Sequence, residues 1–92
     1  MIVEANARHS RDDSEWFQSR LVTLAAGYRL SAREQQILAE MARGVHLKEI
    51  GVRLGCSYAS VRTHVRRMAN KLRCSGAKEV IVRFFLDGPE PR

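Results

Sequence analysis

The sequence is poor in cysteine and proline and has no long apolar run. Its two cysteines, Cys56 and Cys74, do not form a C-x-x-C pair, and the three histidines are too scattered to complete a ligand set with either thiol. A structural zinc ion needs four clustered ligands, so we expect no metal and no cofactor. A membrane-spanning helix needs about 20 consecutive apolar residues, so we also expect no membrane partner.

Features of enzymes and of exported proteins are missing as well. The 92 residues contain no glycine-rich phosphate loop, no nucleophile elbow and no convergent pair of carboxylates, so we expect no enzyme. The N-terminus has neither a basic segment nor a sustained apolar segment, which predicts a cytoplasmic protein. A chain of this length is expected to form one domain with at most a short appendage and no separate sensory domain.

Negative charge is absent from one stretch of the chain, although the formal net charge is only +6. Residues 1–29 carry four basic and four acidic side chains, so the whole excess lies in the remainder. Residues 57–73 contain four arginines, one lysine and no acidic residue. Such a one-sided segment suits a polyanion, either nucleic acid or an anionic membrane surface, while a solvated helix face would show the same charges.

Apolar residues recur at helical spacing near the N-terminus. An apolar stripe from Phe17 to Tyr28, with Trp16 beside it, predicts a first helix from about Asp12 to Ala26. We expect Ser10 or a neighbour to cap this helix and Gly27 to end it.

Four more helices are predicted, which makes the fold all-α. The second is expected to begin at the capping box Ser31–Glu34 and to end at Gly44, and the third to span 47–54. The fourth is expected to run from the N-cap Ser57 to Leu72, and the fifth to span 77–87. Residues 80–86 are rich in strand-forming residues, but no partner strand is visible. Gly76 and Glu79 also repeat the spacing of a helix cap, so we predict a helix there.

The fourth predicted helix has one apolar side. Its apolar residues fall within a narrow arc at about 100° per residue, so this arc is expected to face the core. These residues are Val61, Val65, Met68 and Leu72. The opposite side carries Arg62, Thr63, Arg66, Arg67, Asn70 and Arg73. The segregation predicts a helix that docks by its apolar stripe and presents a basic, hydrogen-bonding face.

The third and fourth predicted helices are joined by a tight turn. Gly55 makes the turn, and Gly51 lies midway along the third helix, where a small residue lets the next helix approach. Val61 is placed to fill the angle between the two helices. A short helix, a glycine-containing turn and a basic second helix are typical of a helix-turn-helix, whose second helix enters the major groove of DNA.

From Leu30 to about Phe85 the sequence resembles the LuxR/FixJ-type helix-turn-helix of bacterial transcription regulators. The matching motifs are Leu30-Ser31-x-Arg33-Glu34, Gly44, Lys48-Glu49-Ile50, Ser57-x-x-Ser60-Val61-Arg62-Thr63-His64-Val65 and Lys71-Leu72. The resemblance implies a tri-helical core and a C-terminal dimerisation helix, here with an extra N-terminal helix, in a stand-alone regulator. The sequence departs from the family at His46, which stands where a serine often caps the first helix of the motif.

By this resemblance, Arg62, Thr63 and Arg66 lie where family members reach base edges. Contacts to phosphates are expected from Lys48, Ser57, Ser60 and Lys71, to which we add Tyr58 and Arg67 from the chemistry of their side chains. Tyr58 could equally pack locally, and Thr63 could be a plain exposed residue. An arginine can pair bidentately with guanine, whereas lysines and hydroxyls on phosphates fix the register of the protein on the duplex.

The last predicted helix has more apolar surface than one buried face needs. The residues concerned are Val80, Ile81, Phe84 and Phe85. In so small a protein a surplus apolar face predicts an interface, and a two-fold dimer is the commonest arrangement. The alternative is that Trp16 and Phe17 of the N-terminal helix fold back over this patch.

These observations divide the chain into an N-terminal segment 1–29, a DNA-binding domain 30–88 and a tail 89–92. The expected function is sequence-specific binding of double-stranded DNA by a homodimeric transcription regulator, with helix 57–72 in the major groove. RNA polymerase or another regulator is a further candidate partner. Two alternatives stay open: the promoter-reading domain of a sigma factor, and an interaction module that forms mixed dimers with a full-length regulator.

Overall fold

The computed structural model describes the backbone of residues 2–86 and the side chains of residues 15–86. Within that part, the chain forms five α-helices and no strand, so the all-α prediction is confirmed. The helices are α1 (Ile2–Tyr28), α2 (Ala32–Ala42), α3 (Leu47–Leu54), α4 (Tyr58–Leu72) and α5 (Ala77–Leu86). None of them is long and apolar enough to cross a membrane.

Helix α4 lies at the centre of the fold and packs against α2, α3 and α5. Its predicted apolar stripe is confirmed, since all four residues of the stripe are buried. Ile37, Leu38 and Met41 of α2 and Ile50 of α3 complete the interior of a tri-helical core. Burial of this stripe fixes which side of α4 faces outward.

The predicted helix caps are largely confirmed. Ser31 and Glu34 form the complete capping box, and the side chain of Ser57 accepts a hydrogen bond from the amide of Ser60 at 3.0 Å. Gly55 ends α3 in the left-handed region at φ +70°, where a side chain would be strained. His46 occupies the N-cap of α3 and makes no side-chain capping bond.

The first helix was predicted too short. It begins at Ile2, so Ser10 lies inside it rather than at its cap, and it passes through Gly27 to end at Tyr28. A glycine inside a helix costs only about 1 kcal/mol relative to alanine, and packing of the residues around it outweighs that cost. The chain turns instead at Arg29, with φ +57°, and the amide of Leu30 donates to the carbonyl of Ala25 at 3.0 Å.

The last helix begins as predicted, at Ala77, and is described up to Leu86. The carboxylate of Glu79 does reach back to the start of the helix, but its partner is Ser75 rather than Gly76. It accepts bonds from the amide and the hydroxyl of Ser75 at 2.8 and 2.9 Å. These bonds, from the backbone first and then the hydroxyl, lower the pKa of Glu79 below its ordinary value.

An aromatic cluster joins α1 to α5. The ring of Phe17 lies 5.0 Å from that of Phe84, and Trp16 meets Phe84 edge-on and stacks on Phe85, both at 5.8 Å. The guanidinium of Arg43 covers Phe17 from the α2 side at 4.3 Å. Such aromatic pairs stabilise beyond the area they bury.

This cluster corrects the predicted dimer surface. Val80 and Phe84 are fully buried inside the single chain, so they are not available to a second copy. The alternative expectation holds for them, because Phe17 and Trp16 of α1 fold back over α5. Ile81 is half-buried and Phe85 is 43% exposed, so only these two of the four predicted residues reach the surface.

Candidate nucleic-acid interface

The angle between α3 and α4 depends on a close backbone approach at Gly51. A Cβ atom at this position would lie 2.7 Å from the carbonyl oxygen of Cys56 in the turn and 3.5 Å from Cγ2 of Val61. The glycine therefore admits the backbone of the turn as well as the first turn of α4. Val61 is fully buried in the angle, as predicted.

The outer side of α4 presents the three predicted base-contacting residues unequally. Arg62 and Arg66 are exposed. Thr63 is half-buried, and its hydroxyl donates to the carbonyl of Ala59 at 3.1 Å, which leaves the oxygen lone pairs and the methyl group for a ligand. Of the predicted phosphate-contacting residues on α4, Arg67 is also exposed and Ser60 is half-buried.

The start of α4 meets the start of α3 at Tyr58. The ammonium of Lys48 lies 5.6 Å from the centre of the Tyr58 ring, and the guanidinium of Arg62 lies 5.5 Å from the same centre. Both distances fall within the range of a cation–π contact. The structure thus brings together one side chain from α3 and two from α4 that the sequence had suggested separately.

A cleft runs along α4 from this cluster towards α5. Its lining residues are Leu47, Arg62, Val65, Arg66, Ala69, Asn70 and the segment 74–77. The wall on α4 is basic and polar at its rim and apolar at its floor. The cleft places the start of α5 beside the basic face of α4.

Lys71 does not join this face. Its ammonium donates to Oε1 of Glu34 at 2.8 Å and to the carbonyl oxygen of Arg29 at 2.9 Å. Arg62 and Lys71 are nine residues apart, and at about 100° per residue they lie on opposite flanks of α4. The structure therefore gives Lys71 a role in holding α2, α4 and the turn after α1 together, on the flank of α4 opposite Arg62.

Glu34 is a buried carboxylate, only 2% exposed. Burial by itself raises the pKa of Glu34, but hydrogen bonds from Lys71 and from the amide of Ser31, together with the charge of Lys71, outweigh it. The net pKa of Glu34 lies below its ordinary value of 4.5. The sequence identified Glu34 only as part of a capping box, because its ion pair spans 37 positions in the chain.

Histidine and cysteine side chains supply no metal site in the part of the chain with described side chains, where no group of three potential ligands occurs. Cys56 and Cys74 are half-buried thiols that pack against the core and form no disulfide with each other. Nδ1 of His64 is buried without a hydrogen-bond partner among the described residues. This leaves the basic side chains and hydroxyls as the chemistry of the surface.

Comparison with known proteins agrees with this geometry. The sequence pattern of the family described as GerE, bacterial regulatory proteins, luxR family, matches residues 28–84. The transcriptional regulatory protein UhpA of Salmonella typhimurium (strain LT2) is 38% identical over 66 residues, which are 70% of this chain and 34% of that protein. This chain thus spans about a third of the length of that relative. No solved structure matches this chain.

The family pattern covers more than half of the chain and includes all of α2, α3 and α4. The buried stripe, the glycine turn and the basic outer side of α4 are the parts that such a motif requires. The chain belongs to the LuxR family of bacterial regulatory proteins, and residues 28–84 carry its DNA-binding helix-turn-helix.

Proposed function

We propose that the chain regulates transcription by inserting α4 into the major groove and reading a specific sequence there. The observation that carries this proposal is the pair Arg62 and Arg66, exposed on a helix whose opposite side is fully buried. Each guanidinium offers a planar edge of donors that matches O6 and N7 of guanine. Thr63, between them, contributes its methyl group and hydroxyl oxygen.

Contacts to phosphates surround this pair. Lys48 lies in the first turn of α3, Ser57 caps α4, and Ser60 and Arg67 lie on α4. Hydroxyls and cations at such positions fix the register of a protein on the duplex without reading sequence. Lys71 is left out of this set because it lies on the flank of α4 opposite Arg62 and two of its three donors are bonded to Glu34 and the Arg29 carbonyl.

The test is a fluorescence titration of the full chain with a random 20-base-pair duplex over a range of salt concentrations. If each protomer of a dimer neutralises roughly four phosphates, the log–log slope is expected near −7. Arg66→Ala should lose discrimination between a selected duplex and the random one. A slope near zero for the wild type would contradict DNA binding and favour the mixed-dimer role.

Arg53→Ala is the matched control. It removes the same charge from α3, where Arg53 pairs with Glu40 at 3.0 Å and with Glu49 at 3.6 Å. It should leave both the slope and the discrimination close to those of the wild type. A loss equal to that of Arg66→Ala would mean that net charge, not the α4 surface, controls binding.

We further propose that two copies associate through the outer side of α5. At about 100° per residue, Ile81, Val82, Phe85 and Leu86 lie away from the buried pair Val80 and Phe84. Trp16 of α1 extends this patch, since it stacks on Phe85 and is 44% exposed. Two recognition helices related by a two-fold axis would read an inverted repeat with half-sites about one helical turn apart.

Sedimentation of Phe85→Glu tests this assembly. A carboxylate in the patch should dissociate the dimer and reduce the salt slope to about half. Val22→Glu is the control, because Val22 is also apolar and is 61% exposed, and at about 100° per residue it lies roughly 140° around α1 from Phe17, which contacts Phe84 of α5. A wild type that stays monomeric on DNA, or a Phe85→Glu variant that stays dimeric, would place the interface elsewhere.

A further inference from the structure

The ring of Tyr58 is the common neighbour of two cations from different helices. Lys48 belongs to the first turn of α3, and Arg62 lies one turn after Tyr58 on α4. Both approach the same ring centre to within 6 Å, at 5.6 and 5.5 Å. Tyr58 itself is 42% exposed and does not belong to the hydrophobic core. Two cations therefore meet a ring that lies outside the core, beside a cleft that His46 and Leu47 also line.

We propose that Tyr58 is a positioning residue that uses the face of its ring to hold Arg62 over the base edges and Lys48 over the adjacent phosphate. The inference rests on the proposed DNA binding and deepens it, because it assigns the sequence discrimination of Arg62 in part to a residue that reads no base. In this role Tyr58 acts through the face of its ring and not through a hydrogen bond from its hydroxyl to a phosphate.

The chemistry of the guanidinium makes this possible. Its flat face is attracted to the electron-rich face of an aromatic ring, while its five N–H donors lie in its own plane. When Arg62 contacts the ring through this flat face, its N–H edge stays free to pair with O6 and N7 of guanine. Lys48 has three N–H donors, so contact with the ring leaves donors for a phosphate oxygen.

Positioning has a further effect on affinity. Arginine and lysine have many rotamers, and ordering them on binding costs free energy that a side chain already held in place does not incur. Lys48 and Arg62 carry like charges near the same ring, and their attraction to its electrons opposes their mutual repulsion in the free protein. The duplex then meets two cations already directed at it.

The first experiment uses the free 92-residue chain and needs no DNA. The ring current of Tyr58 should shift the Hε protons of Lys48 and the Hδ protons of Arg62 upfield in NMR spectra. The shifts should persist in Tyr58→Phe and disappear in Tyr58→Leu, which keeps apolar bulk without an aromatic ring. Shifts that are absent from the wild type, or unchanged in Tyr58→Leu, would overturn the proposal.

The second experiment measures binding of the three proteins to a duplex selected from a random 20-base-pair pool with the wild type, and to the unselected pool. Two cation–π contacts at a partly exposed site predict that Tyr58→Leu binds the selected duplex roughly three- to tenfold more weakly. Part of this loss should be specific to the selected duplex, since Arg62 reads bases. Tyr58→Phe should bind like the wild type.

The outcomes separate the two proposals. A wild type that binds no duplex contradicts the proposed function itself, whatever the NMR spectra show. A wild type that binds DNA while Tyr58→Leu binds equally well overturns only the positioning role. If Tyr58→Phe loses as much affinity for the selected duplex as Tyr58→Leu, the hydroxyl is responsible for the effect, and the ring-face proposal is wrong.

Discussion

The two sides of α4 carry cations in opposite environments. On the open side, formed by the outer face of α4 and the start of α3, Arg62 and Arg66 are exposed and no acidic residue approaches them among the described ion pairs. On the closed side, where α2 packs against α4 and α1 packs against α5, Lys71 is bonded to the buried carboxylate of Glu34. Whether a basic residue of α4 is available to a ligand or stabilises the fold thus depends on the residues that surround it in the structure.

Two neighbouring phenylalanines of α5 show the same contrast between a buried and an exposed environment. Phe84 belongs to the closed side and is fully buried under Phe17 and Trp16, whereas Phe85, about 100° further round the same helix, is 43% exposed. Composition alone made the two residues equivalent. The helix α1, which the family resemblance does not include, decides between them.

The largest effect is expected from breaking the closed side at Phe84. Phe84→Ala leaves a cavity in a packed core and should lower the free energy of unfolding by about 3–5 kcal/mol. Phe85→Ala removes a partly exposed stacking contact with Trp16 and should cost about 0.5–1.5 kcal/mol. Urea unfolding at low protein concentration, where any dimer has dissociated, compares the two. Equal losses would mean that α1 does not cover α5 in solution.

Lys71→Met should give the next largest effect. It leaves the carboxylate of Glu34 buried without its cation, and because the Lys71 side chain is itself 37% exposed we expect about 2–3 kcal/mol rather than the full cost of a buried pair. Arg66→Met, on the open side, should change stability by no more than about 0.5 kcal/mol. The double variant Lys71→Met with Glu34→Gln should recover part of the loss. No recovery would show that Lys71 stabilises the fold through contacts other than its ion pair.

The features that could be predicted from the sequence are the local ones. The buried stripe of α4 follows from the spacing of Val61 and Val65 within one helix, and the capping box at Ser31 involves residues only three positions apart. Both are set by the geometry of a single helix. The motif from Gly51 to Val61 is almost as local, since its parts are adjacent in the chain.

The features that were missed depend on which helices meet. The bond from Lys71 to Glu34 spans 37 positions, and the contacts that bury Phe84 come from α1 at the other end of the described chain. Periodicity identifies an apolar face but not the element that covers it. The role of Tyr58 is intermediate, because its contact with Arg62 follows from helical spacing and its contact with Lys48 needs the turn between α3 and α4.

The smallest effect is the pH dependence of the stability that Glu34 contributes on the closed side. The folded-state pKa of Glu34 lies below the ordinary value of 4.5, so its charged form is favoured by folding. Its contribution to stability is therefore fully present above pH 4.5 and is lost as the pH falls through the folded-state pKa. Because other carboxylates such as Glu79 contribute with the same sign, the measurement is the difference in unfolding free energy between wild type and Glu34→Gln at several pH values.

That difference should shrink steadily below pH 4.5 and be constant near pH 7. In a Lys71→Met background the result should change. With the lysine gone, burial is opposed only by the bonds from Ser31, so the folded-state pKa of Glu34 rises and less stability is lost on acidification. Arg66→Met, which removes a charge from the open side, should leave the acid dependence as in the wild type. An identical acid dependence in the Lys71→Met and wild-type backgrounds would mean that Lys71 does not hold the charge of Glu34, and the distinction between the two sides of α4 would then rest on exposure alone.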